Sequence, residues 1–96
     1  MEVKWLKKAL QNLDDEAKHI EQDDPAAARL VVRRIIDSIT LLPDNPALGH
    51  PGRIHGTREL LVLDNRYIVP YRVKPRIKRI EILRVFQPSR RLPQRW

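Results

Sequence analysis

Arginine is the residue whose type and placement most clearly suggest chemistry in this chain. The 96 residues carry a formal net charge of +7, and residues 49–96 hold 12 Lys or Arg against 3 Asp or Glu, whereas residues 1–48 hold 7 against 9. Guanidinium groups fit phosphate or carboxylate with paired hydrogen bonds. The second half therefore predicts a surface that binds a negatively charged partner, the alternative being a basic face that only aids solubility. The residues assigned to this surface are Arg58, Arg72, Arg84, Arg90, Arg91 and Trp96.

Proton transfer on such a surface would need a group that titrates near neutral pH. Arginine stays protonated, so Arg84, Arg90 and Arg91 can grip a phosphate but cannot act as a base. His55 is a candidate acid or base, although an ordinary loop histidine is the alternative. His50 lies five residues before His55, but no Cys or nearby acidic residue completes a zinc set. The sequence therefore predicts neither a metal site nor a cofactor.

Two amphipathic helices are predicted before the arginine-rich half. Apolar residues recur at helical spacing from Leu6 to Ile20 and again from Ala28 to Leu42, which gives a helical hairpin over residues 6–42. Between them, Asp24 is expected to cap the second helix and Pro25 to occupy its first position, where no N–H is needed. The link is short, so the helices should be antiparallel neighbours.

The arginines fall on three predicted strands, over residues 58–63, 67–73 and 79–86. Pro and Gly crowd residues 43–57, which predicts a loop, and residues 87–96 form a basic tail. Val3 and Trp5 alternate with polar residues as in a short strand. The order β-α-α-β-β-β predicts one α+β domain over residues 1–96, with the short strand and helical hairpin packed on a three-stranded antiparallel sheet. Pro70 should cause a bulge or a missing hydrogen bond.

Side-chain alternation along the strands separates core residues from surface residues. Tyr67 and Tyr71 share parity with Val69 and Val73, so they are interpreted as core aromatics. Charged side chains avoid a closed core unless they are paired, so Arg72 and Arg84 should point to the open face of the sheet or pair with an acidic residue, either Glu59 or Glu81.

Several short motifs, in this order and at this spacing, resemble the RelE/ParE superfamily of small bacterial and archaeal toxins. They are PAAAR at 25–29, PALG at 46–49, GTREL at 56–60, YIVPYRV at 67–73, EILRV at 81–85 and the pair Arg90-Arg91. The resemblance covers nearly the whole chain. It implies the toxin of a type II toxin–antitoxin system, a growth inhibitor of the kind linked to plasmid stabilisation, with the fold predicted above.

The superfamily resemblance implies one of two targets. ParE-like members inhibit DNA gyrase, whereas RelE-like members cleave messenger RNA on the ribosome, which requires proton transfer as well as cations. Many relatives carry His where this chain has Gln87, and Trp96 cannot transfer a proton. These differences favour the gyrase inhibitor, with the endoribonuclease as the alternative. A non-enzymatic nucleic-acid-binding module is the second alternative, but neither helix has the charge of a recognition helix.

The resemblance also implies a partner, an acidic antitoxin that lays a segment over the toxin in a hetero-oligomer. The apolar face of the second helix is wider than the sheet can cover, so we expect a groove there for an amphipathic antitoxin helix. The residues assigned to this contact are Leu30, Val31, Arg34 and Ile35. No export signal and no membrane-spanning run are visible in the sequence, and Cys is absent, so a cytoplasmic location is expected.

Overall fold

The structure is a computed structural model and describes residues 1–88. Two antiparallel helices form one of its two layers. Helix α1 spans Lys7–Glu21 and helix α2 spans Pro25–Ile39. Asp24 caps α2 as predicted, because its carboxylate accepts a hydrogen bond from the Ala27 amide at 3.1 Å while Pro25 begins the helix. No helix within residues 1–88 is long and apolar enough to cross a membrane.

The second layer is a five-stranded mixed sheet with the order β1-β5-β4-β3-β2. Its strands are β1 (Glu2–Trp5), β2 (His50–Pro51), β3 (Arg58–Val62), β4 (Tyr67–Lys74) and β5 (Arg79–Ile82). The α+β class and the element order are confirmed, but the sheet is larger than the predicted three strands. Strand β1 joins it in parallel with β5, and β2 adds a two-residue edge inside the segment predicted to be a loop. Proline is tolerated there because β2 is an edge strand.

A bulge interrupts the pairing of β4 with the segment that follows β5. Tyr71 is opposite Ile82 and Ile68 is opposite Phe86, so three steps along β4 correspond to four on its partner. Pro70 lies at this point, and its carbonyl accepts a hydrogen bond from the Leu83 amide at 2.9 Å although the proline has no N–H to return. The bulge predicted from Pro70 is therefore confirmed.

The core lies between the helices and one face of the sheet. Tyr67 and Tyr71 are both buried in it, as predicted. Ile35 is 0% exposed, so this residue, assigned above to antitoxin contact, belongs to the core and does not lie on the surface. The remaining buried members are Ala9, Ile39, Leu42, Leu60, Val62, Val69, Ile80, Ile82 and Val85.

Candidate functional site

Three side chains singled out from the sequence line one cavity on the side of the sheet away from the helices. His55, Arg72 and Arg84 surround a volume of about 240 Å³, which we name the arginine pocket. The other lining residues are Leu6, Ile54, Thr57 and Leu83. The pocket combines two guanidinium groups and an imidazole with the side chains of Leu6, Ile54 and Leu83, and its cations suit an anionic group of a partner.

Arg84 directly follows Leu83, the residue whose amide bonds to Pro70 at the bulge. Pro70 has no N–H to donate to the Leu83 carbonyl. Nη1 of Arg84 donates to that carbonyl instead, at 2.6 Å. The side chain is half-buried, and this desolvation lowers the pKa of the Arg84 guanidinium. A cation held in a partly dry pocket attracts an oxyanion more strongly than one in open water.

Arg72 stands on β4 beside Arg84 in the pocket and opposite Glu81 of β5. Its Nε lies 3.7 Å from Oε1 of Glu81, which confirms the predicted pairing. Lys74 shares the same carboxylate oxygen at 3.9 Å. One carboxylate thus faces two cations whose side chains are both 45% exposed, so the pairs are screened by solvent and leave Arg72 available to a partner.

The loop between β2 and β3 carries His55 to the rim of the pocket. The Gly52 amide donates to the Thr57 carbonyl at 2.8 Å, and the Thr57 hydroxyl donates to the Ile54 carbonyl at 2.6 Å. Gly56 has φ of +80°, a conformation that side-chain-bearing residues rarely adopt, and it closes the turn after His55. The imidazole is exposed, and it is the only histidine side chain that lines the arginine pocket.

Arg58 lies elsewhere, although it was assigned to the same surface. It pairs across the sheet with Tyr71 on the face that carries the core, and its Nη1 donates to the Gly49 carbonyl at 2.6 Å. The Tyr71 hydroxyl accepts from the Gly49 amide and donates to the Pro46 carbonyl, each at 2.8 Å. Burial raises the pKa of this hydroxyl. The neutral hydroxyl keeps its proton and can hold the loop by donating to the Pro46 carbonyl. The PALG motif at 46–49 is thus a loop anchor.

Gln87 and the two tyrosines make their contacts away from the arginine pocket. Gln87 donates from its amide to the Tyr67 hydroxyl at 3.2 Å, and that hydroxyl lies 3.4 Å from Oε2 of the buried Glu16. Neither Tyr67 nor Tyr71 reaches the arginine pocket. Within residues 1–88, no group of three His, Cys, Asp or Glu side chains forms a metal site. Arg90, Arg91 and Trp96 lie outside the described residues.

An apolar groove runs between the two helices, on the flank of α2 that faces α1. Its volume is about 550 Å³, and Ala28, Val32 and Ile36 of α2 form much of its wall. Basic and acidic groups flank it, the basic ones being Arg29 and Arg33. The sequence analysis did not assign these lining residues to a partner contact, although Val32 and Ile36 are apolar residues spaced one turn apart beyond the core stripe.

The residues first assigned to antitoxin contact lie on the rest of α2. Leu30 and Arg34 are exposed on the opposite flank, Val31 is half-buried against the core, and Ile35 is within it. Helix α2 therefore presents two separate surfaces, one toward α1 and one toward β3.

Comparison with known proteins agrees with this architecture. The sequence profile of the ParE toxin of the type II toxin–antitoxin system parDE matches residues 3–92. The chain belongs to this family, and thus to the toxins of type II toxin–antitoxin systems in the RelE/ParE superfamily.

Individual relatives place the chain nearer to ParE than to RelE proteins. It is 44% identical over 92 residues to the candidate toxin Y4kP of Sinorhizobium fredii, covering 96% of this chain and 93% of that one. The chromosomal ParDE system of P. aeruginosa superposes with a TM-score of 0.80 at 31% identity, over 91% of this chain and 95% of that one. The E. coli RelBE toxin–antitoxin complex superposes with a TM-score of 0.66 at 10% identity, over 93% of this chain and 98% of that one. This similarity shows a shared fold.

Proposed function

We propose that this toxin acts in the cytoplasm by inhibiting DNA gyrase, and that a cognate antitoxin neutralises it in a hetero-oligomer. The observation that carries the proposal is the composition of the arginine pocket. Among residues 1–88, its lining offers two guanidinium groups to an anion but one side chain suited to proton transfer, His55, whereas RNA cleavage by a 2′-hydroxyl needs both a base and an acid. An inhibitor that acts by binding requires only the contacts of the cations with the target and no proton transfer. The ParDE structure, at higher identity than the RelBE structure, supports the same choice.

Ribosome-dependent cleavage of messenger RNA is the second candidate. One observation favours it, namely that an exposed imidazole shares a cavity with two cations. In that case His55 would act as the base or the acid, and the guanidinium groups would stabilise charge on the phosphate. Replacing His55 by Ala separates the two candidates, because a gyrase inhibitor should keep most of its toxicity whereas a ribonuclease should lose it.

The antitoxin contact is supported by the groove between the helices. Its apolar wall and its volume of about 550 Å³ suit the apolar face of one amphipathic helix. Arg29 and Arg33 on its border are matched by Glu21 and Asp37, so the preference for an acidic segment rests on the net charge of +7. Replacing Val32 and Ile36 by Asp should therefore prevent neutralisation while leaving the arginine pocket unchanged.

The decisive cell experiment is induction of the toxin with two readouts followed together. A gyrase inhibitor should induce the DNA damage response and filamentation, whereas a ribonuclease should stop translation at once and leave cut messages. The variant Arg72→Gln with Arg84→Gln should lower toxicity by at least about tenfold if both cations contact the target. The matched control removes two exposed charges from α1, Lys7→Gln with Lys8→Gln, and should remain toxic. Cut messages without DNA damage would contradict the proposal.

A further inference from the structure

The turn between β4 and β5 carries the densest group of positive charges within residues 1–88. Residues 74–79 read KPRIKR, four cations with no acidic residue among them, and we name this segment the basic turn. A short 3-10 helix spans Pro75–Ile77, and Lys78 reverses the chain with φ of +50°. The Lys78 amide donates to the Pro75 carbonyl at 3.2 Å, so the tip of the turn has a defined shape.

The cations of the basic turn are not consumed by ion pairs. Arg76 and Lys78 are exposed, and Arg79 is half-buried with an Nε that has no hydrogen-bond partner. None of the ion pairs within residues 1–88 includes these three side chains. Lys74 lies 3.9 Å from a carboxylate oxygen of Glu81, but its side chain is 45% exposed. A surface pair of this kind contributes little, so Lys74 also remains available to a partner.

The positive charge continues from the basic turn toward the arginine pocket. Strand alternation places Lys74 on the same face of β4 as Arg72, and Arg79 lies opposite Lys74 on β5. Two carboxylates are interspersed, Glu2 opposite Arg79 and Glu81 opposite Arg72. The four cations of the turn together with Arg72 outnumber them, so this end of the sheet is positive.

The composition of the basic turn suits a nucleic-acid backbone better than a protein or a membrane. Ile77, 54% exposed, is its one large exposed apolar side chain. Neither the arginine pocket nor the groove between the helices includes any residue of the turn. Protein interfaces have an apolar core and are poor in lysine, and a membrane-binding surface needs a broad apolar face. Contacts with phosphates need neither.

We propose that the basic turn binds the phosphate backbone of duplex DNA. Lys and Arg side chains that neutralise phosphates release counterions, and this release gives affinity without regard to base sequence. Gyrase acts on duplex DNA, so the toxin would contact the enzyme through the arginine pocket and the DNA through the basic turn. The inference goes beyond the proposed function and does not depend on it, because DNA binding is measured without gyrase.

The test measures binding of the full chain to a labelled DNA duplex of about 20 base pairs at several salt concentrations. Four phosphate contacts predict a slope of log K against log salt of about −3.6, a loss of roughly 150-fold between about 50 and 200 mM. Arg76→Gln with Lys78→Gln should reduce the slope to about −1.8, a loss of roughly 12-fold. The matched control, Lys8→Gln with Lys18→Gln, removes two exposed charges from α1 and should keep the full slope.

Two further measurements separate the charge of the basic turn from its shape. Ile77→Ala keeps every charge and should leave the slope unchanged. Acetylation of lysine side chains gives a readout that needs no variant, because bound DNA shields the amino groups that it contacts. DNA should slow acetylation of Lys74 and Lys78 by at least about threefold and leave Lys8 and Lys18 unaffected.

Several outcomes would overturn the inference while leaving gyrase inhibition in place. One is the absence of DNA binding at the lowest salt concentration. Another is an equal fall in slope for the turn variant and the α1 control, since net charge alone would then explain binding. A fall in slope for Ile77→Ala, or equal acetylation of all four lysines, would also contradict it. Tighter binding to anionic lipid vesicles or to single-stranded RNA than to the duplex would overturn it in favour of that ligand.

Discussion

Removing the hydroxyl of Tyr71 should loosen the loop that leads to the arginine pocket. Tyr71 is 0% exposed, and its hydroxyl bridges the Gly49 amide and the Pro46 carbonyl. In Tyr71→Phe the buried Gly49 N–H is left without an acceptor, which costs about 1–3 kcal/mol. For a domain of this size each kcal/mol lowers Tm by about 4–8 °C, so a loss near 2 kcal/mol corresponds to roughly 8–16 °C.

The measurement is thermal and urea unfolding of Tyr71→Phe beside Tyr67→Phe. Both tyrosines are buried, but the Tyr67 hydroxyl meets side chains, Gln87 at 3.2 Å and Glu16 at 3.4 Å, which can reorient when it is lost. We expect the Tyr67 change to cost about 1 kcal/mol or less. The m-value should stay constant in both, since the core remains closed. Equal destabilisation of the two variants, or none in Tyr71→Phe, would refute the anchoring role of the hydroxyl.

Two further predictions concern the same loop. Because burial raises the pKa of Tyr71 above its usual 10.0, the unfolded chain ionises first at alkaline pH; stability should hold below about pH 10 and fall above it, and urea titrations should show a smaller fall in Tyr71→Phe. Gly49→Ala would place a Cβ 2.7 Å from Cε1 of Tyr71 and 2.8 Å from the Glu59 carbonyl oxygen, so unfolding measurements should show a loss of about 1–3 kcal/mol. A stable Gly49→Ala chain would contradict the close approach.

The helical hairpin and the bulge were predictable because their signals are local. Helical spacing and the Asp24-Pro25 pair define the start of α2, and Pro70 indicates where the sheet must be irregular. The pairing of β1 with β5 joins residues nearly eighty positions apart, and nothing in a short strand specifies a distant partner. The two-residue β2 is likewise held by its neighbour rather than by its own pattern.

The site was predictable in its chemistry more than in its geometry. Arg72 and Arg84 were correctly separated from the core. His55 joins them only through the loop between β2 and β3, whose path no local pattern gives. The sequence did contain a sign that Arg58 lies away from the arginine pocket, because Arg58 shares strand parity with the core residues Leu60 and Val62. The burial of Ile35 was also predictable, since this residue lies at the centre of the apolar stripe of α2, where burial is most complete.

We propose that the arginine pocket binds gyrase, and DNA supercoiling by purified gyrase tests this proposal most directly. The unchanged chain should inhibit supercoiling, added antitoxin should relieve the inhibition, and Arg72→Gln with Arg84→Gln should inhibit at least about tenfold less. The same preparation should leave messenger RNA intact on translating ribosomes. Full supercoiling in the presence of the unchanged chain, together with cleavage of ribosome-bound messages, would contradict the account.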